Sequence, residues 1–302
     1  MSERERKPKT IGAALVRTGG GRLALRLVVD GRLFVPPSGP HDADPQAFFG
    51  TPSAAAEAVR AWRGLAATGA LEPAGEVDDA RFAPPFDLRR AFKALALGRS
   101  YRAHAVELGN APVERPLTFA KFPECFVGGG DAVSIPPDAA GKMDHEAELA
   151  IVIGDDAVDL PDGAGRSRIA GYVVANDLTL RAVQAAAKAA GHPWLRAKNF
   201  PGSMPVGPWL TPAWAVEDPS SLVVRCVVDG DLRQSARVAD MTWDVGRVVE
   251  ELSRLWPLRA GDVISTGTPA GVAGLAPGQT CVVEVANDAV SLGRLVTRVA
   301  AT

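Results

Sequence analysis

The sequence has few cysteines, no long apolar run and almost no net charge. Its three cysteines, Cys125, Cys226 and Cys281, are widely spaced and form no Cys-x-x-Cys pair, so they indicate neither a disulfide framework nor a zinc site. No stretch reaches the roughly 18 apolar residues of a transmembrane helix. With 33 Lys and Arg against 35 Asp and Glu in 302 residues, the formal net charge is −2, which argues against a protein that coats nucleic acid or an anionic membrane.

Two further absences narrow the function and the location. No G-x-G-x-x-G or G-x-x-x-x-G-K-[ST] motif opens a helix after a strand, so a nucleotide-binding fold is not supported. The N-terminal residues MSERERKPKTIG lack the apolar core of a secretory signal, and we therefore expect a cytoplasmic protein. The composition, with 47% hydrophobic and 23% charged residues, is typical of a folded domain.

The first part of the chain predicts a small N-terminal domain of strands and one helix, spanning residues 10–80. Asp30-Gly31 between apolar runs is a hairpin signal. The alanine-rich stretch 53–68 predicts a helix. The prolines of residues 82–88 indicate a linker between this domain and the second part of the chain.

The second part, residues 86–302, is predicted to be a β-rich domain. Residues 148–154 and 169–175 are apolar throughout, which is typical of strands buried on both faces. Helical spacing occurs at residues 181–190 and 242–255. Many short strands with few helices predict an α+β, β-rich fold, a roll or barrel and not a doubly wound sheet.

Paired carboxylates are the sharpest local feature. Glu146 and Glu148 are two residues apart at the mouth of an apolar strand, so their side chains share one face. Close like charges repel unless a cation or a proton lies between them, and a hard divalent ion with oxygen ligands is one answer. Asp177 ends the next apolar strand. The alternatives are a solvated acidic strand edge for the glutamates and a simple turn for Asn176-Asp177.

Three weaker signals accompany the carboxylates. His104 and Glu107 would share a helix face, where the carboxylate would orient the imidazole as a base, although such a pair is more often a surface pair. Lys198 lies in a loop rich in Pro and Gly and by itself indicates only a surface lysine. Residues 266–272 form a small-residue loop that either approaches a ligand or merely connects two strands.

Taken together, these segments resemble the fumarylacetoacetate hydrolase family, in its branch of bacterial acylpyruvate hydrolases and 2-oxo-hept-3-ene-dioate isomerases. The resemblance runs through residues 86–302 in family order. Five motifs carry it: Tyr101-Arg102-Ala103-His104 with Glu107, the block from Phe119 to Glu146-Ala147-Glu148-Leu149, Asn176-Asp177 with Arg181 and Gln184, Lys198 followed by Pro205-Val206-Gly207-Pro208-Trp209, and Ser265-Thr266-Gly267-Thr268-Pro269-Ala270-Gly271-Val272.

The resemblance implies a β-roll catalytic domain in a homodimer that binds a small oxo acid or diketone. It implies Mg²⁺ or Mn²⁺ on Glu146, Glu148 and Asp177. Catalytic roles would fall to His104 and Glu107, as the water-activating dyad on a lid, and to Lys198, facing a charged substrate oxygen. Substrate contacts would come from Tyr101, Arg102, Arg181, Gln184 and Thr268.

The sequence departs from the family pattern beside the site. Pro201 stands where the lysine loop commonly has Asp, and Ser203 lies where an aromatic residue is often found. Ser100 replaces the Asn that usually precedes the lid tyrosine, and Ala273 replaces a glycine. The metal triad and the dyad are intact, so these changes bear on the substrate.

Three functions stay open at this point. The first is a metal-dependent hydrolase that cleaves a C–C bond of an acylpyruvate-like substrate by way of an enolate, with water activated by His104 and Glu107. The second is an isomerase or decarboxylase acting on an oxo-dicarboxylate of aromatic catabolism at the same ion. The third is a catalytically silent protein of this fold.

Overall fold

The computed structural model describes residues 8–90, 92–107, 115–139 and 142–301. Within these ranges it has nineteen strands and five α-helices. The strands are β1 (Lys9–Arg17), β2 (Leu23–Val29), β3 (Arg32–Phe34), β4 (Pro73–Glu76), β5 (Phe82–Ala83), β6 (Ala94–Gly98), β7 (Leu117–Lys121), β8 (Phe126–Val127), β9 (Ala132–Val133), β10 (Met143–Asp144), β11 (Ala147–Ile153), β12 (Ile169–Asn176), β13 (Met204–Pro212), β14 (Val223–Val228), β15 (Asp231–Arg237), β16 (Val263–Ser265), β17 (Gly274–Leu275), β18 (Thr280–Ala286) and β19 (Val290–Val299). The helices are α1 (Pro52–Ala67), α2 (Arg102–Glu107), α3 (Arg181–Ala189), α4 (Leu195–Lys198) and α5 (Val245–Leu255).

The central layer runs in the order β7-β6-β16-β11-β12-β13. All its pairings are antiparallel except that of β6 with β16. Every residue of β11 and β12 is buried, as their unbroken apolar sequences predict. A second run of strands, β15-β14-β18-β19, is antiparallel throughout. The architecture agrees with the α+β, β-rich class expected from the sequence.

The N-terminal strands pack against the rest of the chain. Strand β1 pairs with β2 from Ile11 to Arg17, with β13 at Ala13↔Leu210 and with β19 at Lys9↔Val290. The hairpin predicted at Asp30-Gly31 joins β2 to β3, and both turn residues have positive φ. Leu27 shares one apolar cluster with Val206 of β13. The predicted boundary between residues 10–80 and 86–302 stays a prediction.

Helix positions follow local sequence signals. Asp244 caps α5 by accepting hydrogen bonds from the backbone N–H groups of Gly246 and Arg247, which satisfies donors that an open helix end leaves free. Helix α3 ends just before Gly191. This glycine has a φ of +68°, in the left-handed region where glycine commonly ends a helix. In the ranges that the structure describes, no helix combines the length and apolar character needed to cross a membrane.

Candidate active site

Three carboxylates meet where β11 begins and β12 ends. Antiparallel pairing of Ala147 with Asn176 sets the start of one strand beside the end of the other. Glu146, Glu148 and Asp177 thereby approach so closely that one oxygen from each lies within 4.8 Å of the others. All three side chains are buried. The two-residue spacing predicted that the glutamates would share a face, and the strand pairing adds the aspartate.

Two cations compensate part of this charge. Lys198 Nζ donates to Glu146 Oε2 at 2.7 Å, to Asp177 Oδ2 at 2.6 Å and to Thr179 Oγ1 at 2.6 Å. Arg181 donates to a second oxygen of Glu146 and, from Nε, to Asp144 Oδ2 at 2.7 Å. Burial alone would raise the pKa of Glu146, but the charges of Lys198 and Arg181 outweigh it and lower that pKa to about 2.

The pKa of Glu148 is shifted in the opposite direction from that of Glu146. Glu148 Oε2 accepts hydrogen bonds from the hydroxyl of Ser265 and from the backbone N–H of Gly267, the latter at 2.9 Å. Burial and repulsion by Asp177 nonetheless raise its pKa to about 8. Gly267 has a φ of +90°, and a Cβ there would lie 2.0 Å from Ser100 Oγ, so only glycine can bring this N–H to the carboxylate.

The donor set fits a hard divalent ion. Three buried carboxylates offer the oxygen ligands that Mg²⁺ and Mn²⁺ prefer. Burial, and after it repulsion by Asp177, raises the pKa of Glu148 in spite of the nearby charge of Lys198, so a further cation would favour its charged form. An ion held by Glu146, Glu148 and Asp177 would be such a cation.

Chelator-treated protein should lose stability as the pH rises. An unfolded chain releases the Glu148 proton near 4.5, whereas the folded chain keeps it to about 8. Between these values the folded state binds more protons, so the free energy of unfolding falls with increasing pH. Urea unfolding across this range would measure the fall. A Glu148→Gln variant should show a flatter dependence, and this comparison separates Glu148 from His145, whose pKa burial lowers. Equal slopes for the two proteins would contradict the assignment.

The predicted dyad forms on the short helix α2. His104 Nδ1 lies 3.0 Å from Glu107 Oε2, with the imidazole buried and the carboxylate half-exposed. Both oxygens of Glu107 accept from the backbone N–H of Gly271, at 3.1 and 3.3 Å. The contact joins helix α2 to the loop of residues 266–272. It also holds the carboxylate that orients the imidazole.

One cleft is lined both by His104 of the dyad and by Glu146 of the carboxylate cluster. It is lined by six of the residues predicted from the sequence: His104, Glu146, Arg181, Gln184, Lys198 and Thr268. Gln184 is buried and accepts from Arg181 Nη1 at 2.7 Å. Thr268 Oγ1 donates to the carbonyl of Ala147 at 2.9 Å.

Two predicted substrate contacts, Tyr101 and Arg102, are not among the residues that line this cleft. Tyr101 is fully buried in the main apolar core, where its hydroxyl has no hydrogen-bond partner among the described residues. Arg102 is exposed at the start of α2. Their roles as substrate contacts stay predictions.

Lys121, at the end of β7, is a site residue that the sequence did not indicate. It is buried, and Nζ donates to Asp177 Oδ1 at 2.8 Å and to Ser203 Oγ at 3.1 Å. It also donates to the backbone carbonyl of Lys198. Lys121 thus anchors both the aspartate of the triad and the lysine loop.

Exchange of Lys121 for methionine should destabilise the protein by about 3–5 kcal/mol, because it removes one partner of a buried ion pair. Urea unfolding measures the loss. Arg294→Met is the matched control, because it breaks an exposed pair with Glu284 and should cost about 1 kcal/mol or less. Similar losses in both variants would contradict the anchoring role.

Two of the departures from the family pattern, Ser203 and Ser100, make hydrogen bonds beside the site. Ser203 is buried, and its hydroxyl contacts Lys121 and the carbonyl of Lys198, the latter at 2.9 Å. Ser100 donates to the carbonyl of Thr266. Both serines therefore fix backbone beside the site.

Buried carboxylates and an oriented imidazole in one cleft define a site of enzymatic type. Residues 93–300 match the fumarylacetoacetate (FAA) hydrolase C-terminal family. The chain therefore belongs to the fumarylacetoacetate hydrolase family. This finding confirms the resemblance that the five motifs indicated.

Relatives of this chain carry several activities. It is 40% identical over 191 residues, 63% of this chain and 85% of the relative, to a mitochondrial oxaloacetate tautomerase of Arabidopsis thaliana. It resembles the fumarylpyruvate hydrolase of Pseudomonas aeruginosa in complex with Mn²⁺ and pyruvate, with a TM-score of 0.64 and 32% identity, over 74% of this chain and 93% of that one. A third is the 5-carboxymethyl-2-hydroxymuconate delta-isomerase of Mycobacterium smegmatis, with a TM-score of 0.70 and 28% identity over 96% and 99%.

Proposed function

We propose that this protein is a divalent-metal-dependent hydrolase that cleaves a C–C bond in an acylpyruvate-like or other β-diketone acid. The observation that carries the proposal is the His104–Glu107 pair, whose imidazole lines the same cleft as Glu146 of the carboxylate triad. Such a pair supplies the base that activates water. In an enolisation the same base would take a C–H proton of the substrate, and the assays below distinguish the two reactions.

The ion would be held by Glu146, Glu148 and Asp177, as Mg²⁺ or Mn²⁺. When bound, it would polarise a substrate carbonyl and offset negative charge that develops on oxygen. Support comes from the buried donor set and from the Mn²⁺ in the structure of the Pseudomonas hydrolase.

The other steps of the reaction would be carried out by side chains at the site, which move the proton, stabilise the enolate and orient the substrate. His104 takes a proton from water while Glu107 holds the Nδ1–H of the ring. The water oxygen bonds to the carbonyl carbon, the C–C bond breaks, and the electron pair leaves as an enolate. The enolate takes a proton from a second water, and the imidazolium gives its proton to the hydroxide that this leaves. Lys198, whose pKa the carboxylates Asp177 and Glu146 raise in spite of burial, stays charged beside the enolate oxygen. Arg181, Gln184 and Thr268 would orient the substrate.

A tautomerase, isomerase or decarboxylase is the second candidate. The tautomerase of Arabidopsis and the isomerase of Mycobacterium smegmatis are among the similar proteins, and both reaction types pass through an enolate without water attack. The same carboxylates, Lys198 and Arg181 would serve them. A catalytically silent protein would keep the carboxylates and their ion but turn over nothing.

The decisive experiment follows the diketone absorbance of a small panel of acylpyruvates with added Mg²⁺ or Mn²⁺ and again with chelator. Chelator-sensitive loss of absorbance with release of pyruvate supports the hydrolase. The enol form of oxaloacetate is assayed alongside the panel. Its conversion to the keto form, with no hydrolysis of any acylpyruvate, supports the second candidate. Bound metal with no turnover of any compound supports the silent protein. We also propose a cytoplasmic homodimer, which sedimentation and cell fractionation would test.

A further inference from the structure

Gln234 is a buried residue of β15 whose side-chain amide makes four hydrogen bonds. Its Nε2 donates to Thr268 Oγ1 at 2.7 Å and to the backbone carbonyl of Pro269 at 2.8 Å. Its Oε1 accepts from His145 Nδ1 at 2.9 Å and from the backbone N–H of Ala147 at 3.1 Å. A backbone carbonyl can only accept, so Pro269 fixes which end of the amide is the nitrogen. Both amide hydrogens and both lone pairs of Oε1 are thus used.

This amide determines the direction of the hydrogen bonds at the Thr268 hydroxyl. Gln234 supplies a hydrogen to Oγ1, and Oγ1 gives its own hydrogen to the carbonyl of Ala147 at 2.9 Å. A hydroxyl has one hydrogen and two lone pairs, so a single lone pair is left. Thr268 lines the cleft, where its hydroxyl can accept a further hydrogen bond but cannot donate one. The hydroxyl therefore suits a ligand O–H group and not a bare ketone or carboxylate oxygen.

A second acceptor at the cleft is the imidazole of His104. Glu107 Oε2 lies 3.0 Å from Nδ1 and, as a carboxylate, accepts the ring hydrogen, so the neutral ring keeps a lone pair at Nε2. His104 and Thr268 line the same cleft. A water molecule has two hydrogens, and two acceptors that bind both of them leave its own lone pairs to face a carbonyl carbon. The two side chains together offer what an attacking water needs.

One loop links the two acceptors. The loop that carries Thr268 also contains Gly271, whose N–H bonds the carboxylate of Glu107 that orients the imidazole. Gly271 packs closely on β15, because a Cβ at this position would lie 2.1 Å from the carbonyl oxygen of Arg233 and 3.4 Å from Gln234 Cγ. Strand β15 thus contacts the loop at both positions and holds the hydroxyl and the dyad in one frame.

We propose that Thr268 and His104 together bind the attacking water, with Gln234 as the positioning residue that makes the Thr268 hydroxyl an acceptor. The inference rests on the proposed hydrolysis and adds the way in which its water is oriented. As the water oxygen bonds to the carbonyl carbon, one hydrogen passes to His104 as a proton. The other stays on the oxygen, hydrogen-bonded to Thr268 Oγ1. The hydroxyl of Thr268 then orients the substrate through this water.

Thr268→Val tests the water contact, because valine keeps the shape of threonine and removes the oxygen. Hydrolysis of the best acylpyruvate should show a kcat about tenfold lower, the effect of one lost hydrogen bond. Calorimetry of the Mn²⁺-loaded protein with pyruvate should give an unchanged Kd. Exchange of the C3 protons of pyruvate with D₂O should keep the parent rate, because neither binding nor exchange uses the attacking water. Thr268→Ser keeps the oxygen and should restore kcat.

Two more variants separate water binding from the structure of the loop. Thr266→Val is the matched control: its hydroxyl donates to the carbonyl of Leu149 at 2.8 Å, as that of Thr268 does to Ala147, but Thr266 is not among the residues that line the cleft. This variant should keep the parent kcat. Gln234→Met removes the amide and leaves the Thr268 hydroxyl free to turn. It should lower kcat and leave the Kd for pyruvate unchanged, as Thr268→Val does.

Three results would overturn the water contact. One is hydrolysis by Thr268→Val at the parent rate. Another is a Kd for pyruvate that rises as kcat falls, which would mean that the hydroxyl binds the substrate itself. The third is an equal fall of kcat in Thr266→Val, which would mean that the loop has only been loosened. If the parent hydrolyses no acylpyruvate, the proposed reaction fails and the water contact with it. If the parent hydrolyses and any of the three results appears, only the water contact fails.

Discussion

Replacement of Glu146 by alanine should remove tight Mn²⁺ binding and with it turnover. The carboxylate is one of three that approach within 4.8 Å, and its low pKa of about 2 keeps it charged at any working pH. Loss of an outer partner of a metal site already costs roughly 10–100-fold in affinity, so loss of a ligand should cost more. A bound ion lowers the activation barrier by several kcal/mol. Its loss should therefore lower the rate by about a thousandfold.

Asp144→Asn is the matched control for Glu146→Ala. Asp144 accepts from the same arginine, with its Oδ2 2.7 Å from Arg181 Nε, but it is not one of the three clustered carboxylates. The control should keep its metal affinity within about the 10–100-fold range of an outer partner. Titration calorimetry with Mn²⁺ and the diketone assay measure both quantities. If Glu146→Ala binds Mn²⁺ as tightly as Asp144→Asn, the assignment of Glu146 as a ligand is wrong.

The sequence predicted those parts of the site that depend on local periodicity. Glu146 and Glu148 face the same way because side chains alternate along an extended segment. His104 and Glu107 meet because positions three apart share a helix face. The buried strands β11 and β12 followed from unbroken apolar runs. In the first two cases a spacing of two or three residues fixes the geometry, and in the third the composition of a short run does.

The sequence could not reveal contacts that form only when distant segments meet. Lys121 ends a five-residue strand, LTFAK, where a terminal lysine is typical of an exposed edge. Only the fold buries it against Asp177, 56 positions away. Gln234 is a second example, since its side chain bonds Thr268 Oγ1 at 2.7 Å and accepts from the backbone N–H of Ala147 at 3.1 Å. No local pattern marks either residue.

Substitution of His104 by alanine should lower hydrolysis by about 10²–10⁴-fold, the usual contribution of a positioned general base. The Mn²⁺ affinity should stay unchanged, because the imidazole is bonded to Glu107 and is not part of the carboxylate cluster. Glu107→Gln should give a smaller fall, since the ring remains and loses only its orienting charge. Steady-state rates on the best acylpyruvate and calorimetric Mn²⁺ titration measure the two properties separately. Hydrolysis by His104→Ala at the parent rate would exclude the dyad as the base.

The same variant distinguishes the hydrolase from a protein that only forms enolates. Exchange of the C3 protons of a 2-oxo acid with D₂O, followed by NMR, reports enolisation without water attack. If His104 serves mainly to activate water, exchange should persist in His104→Ala while hydrolysis is lost, because Lys198 and the carboxylates are untouched. If exchange falls together with hydrolysis, the imidazole moves the substrate proton itself. Tautomerisation would then be the primary reaction of this cleft, and the water-activating role of Glu107 and His104 would have to be given up.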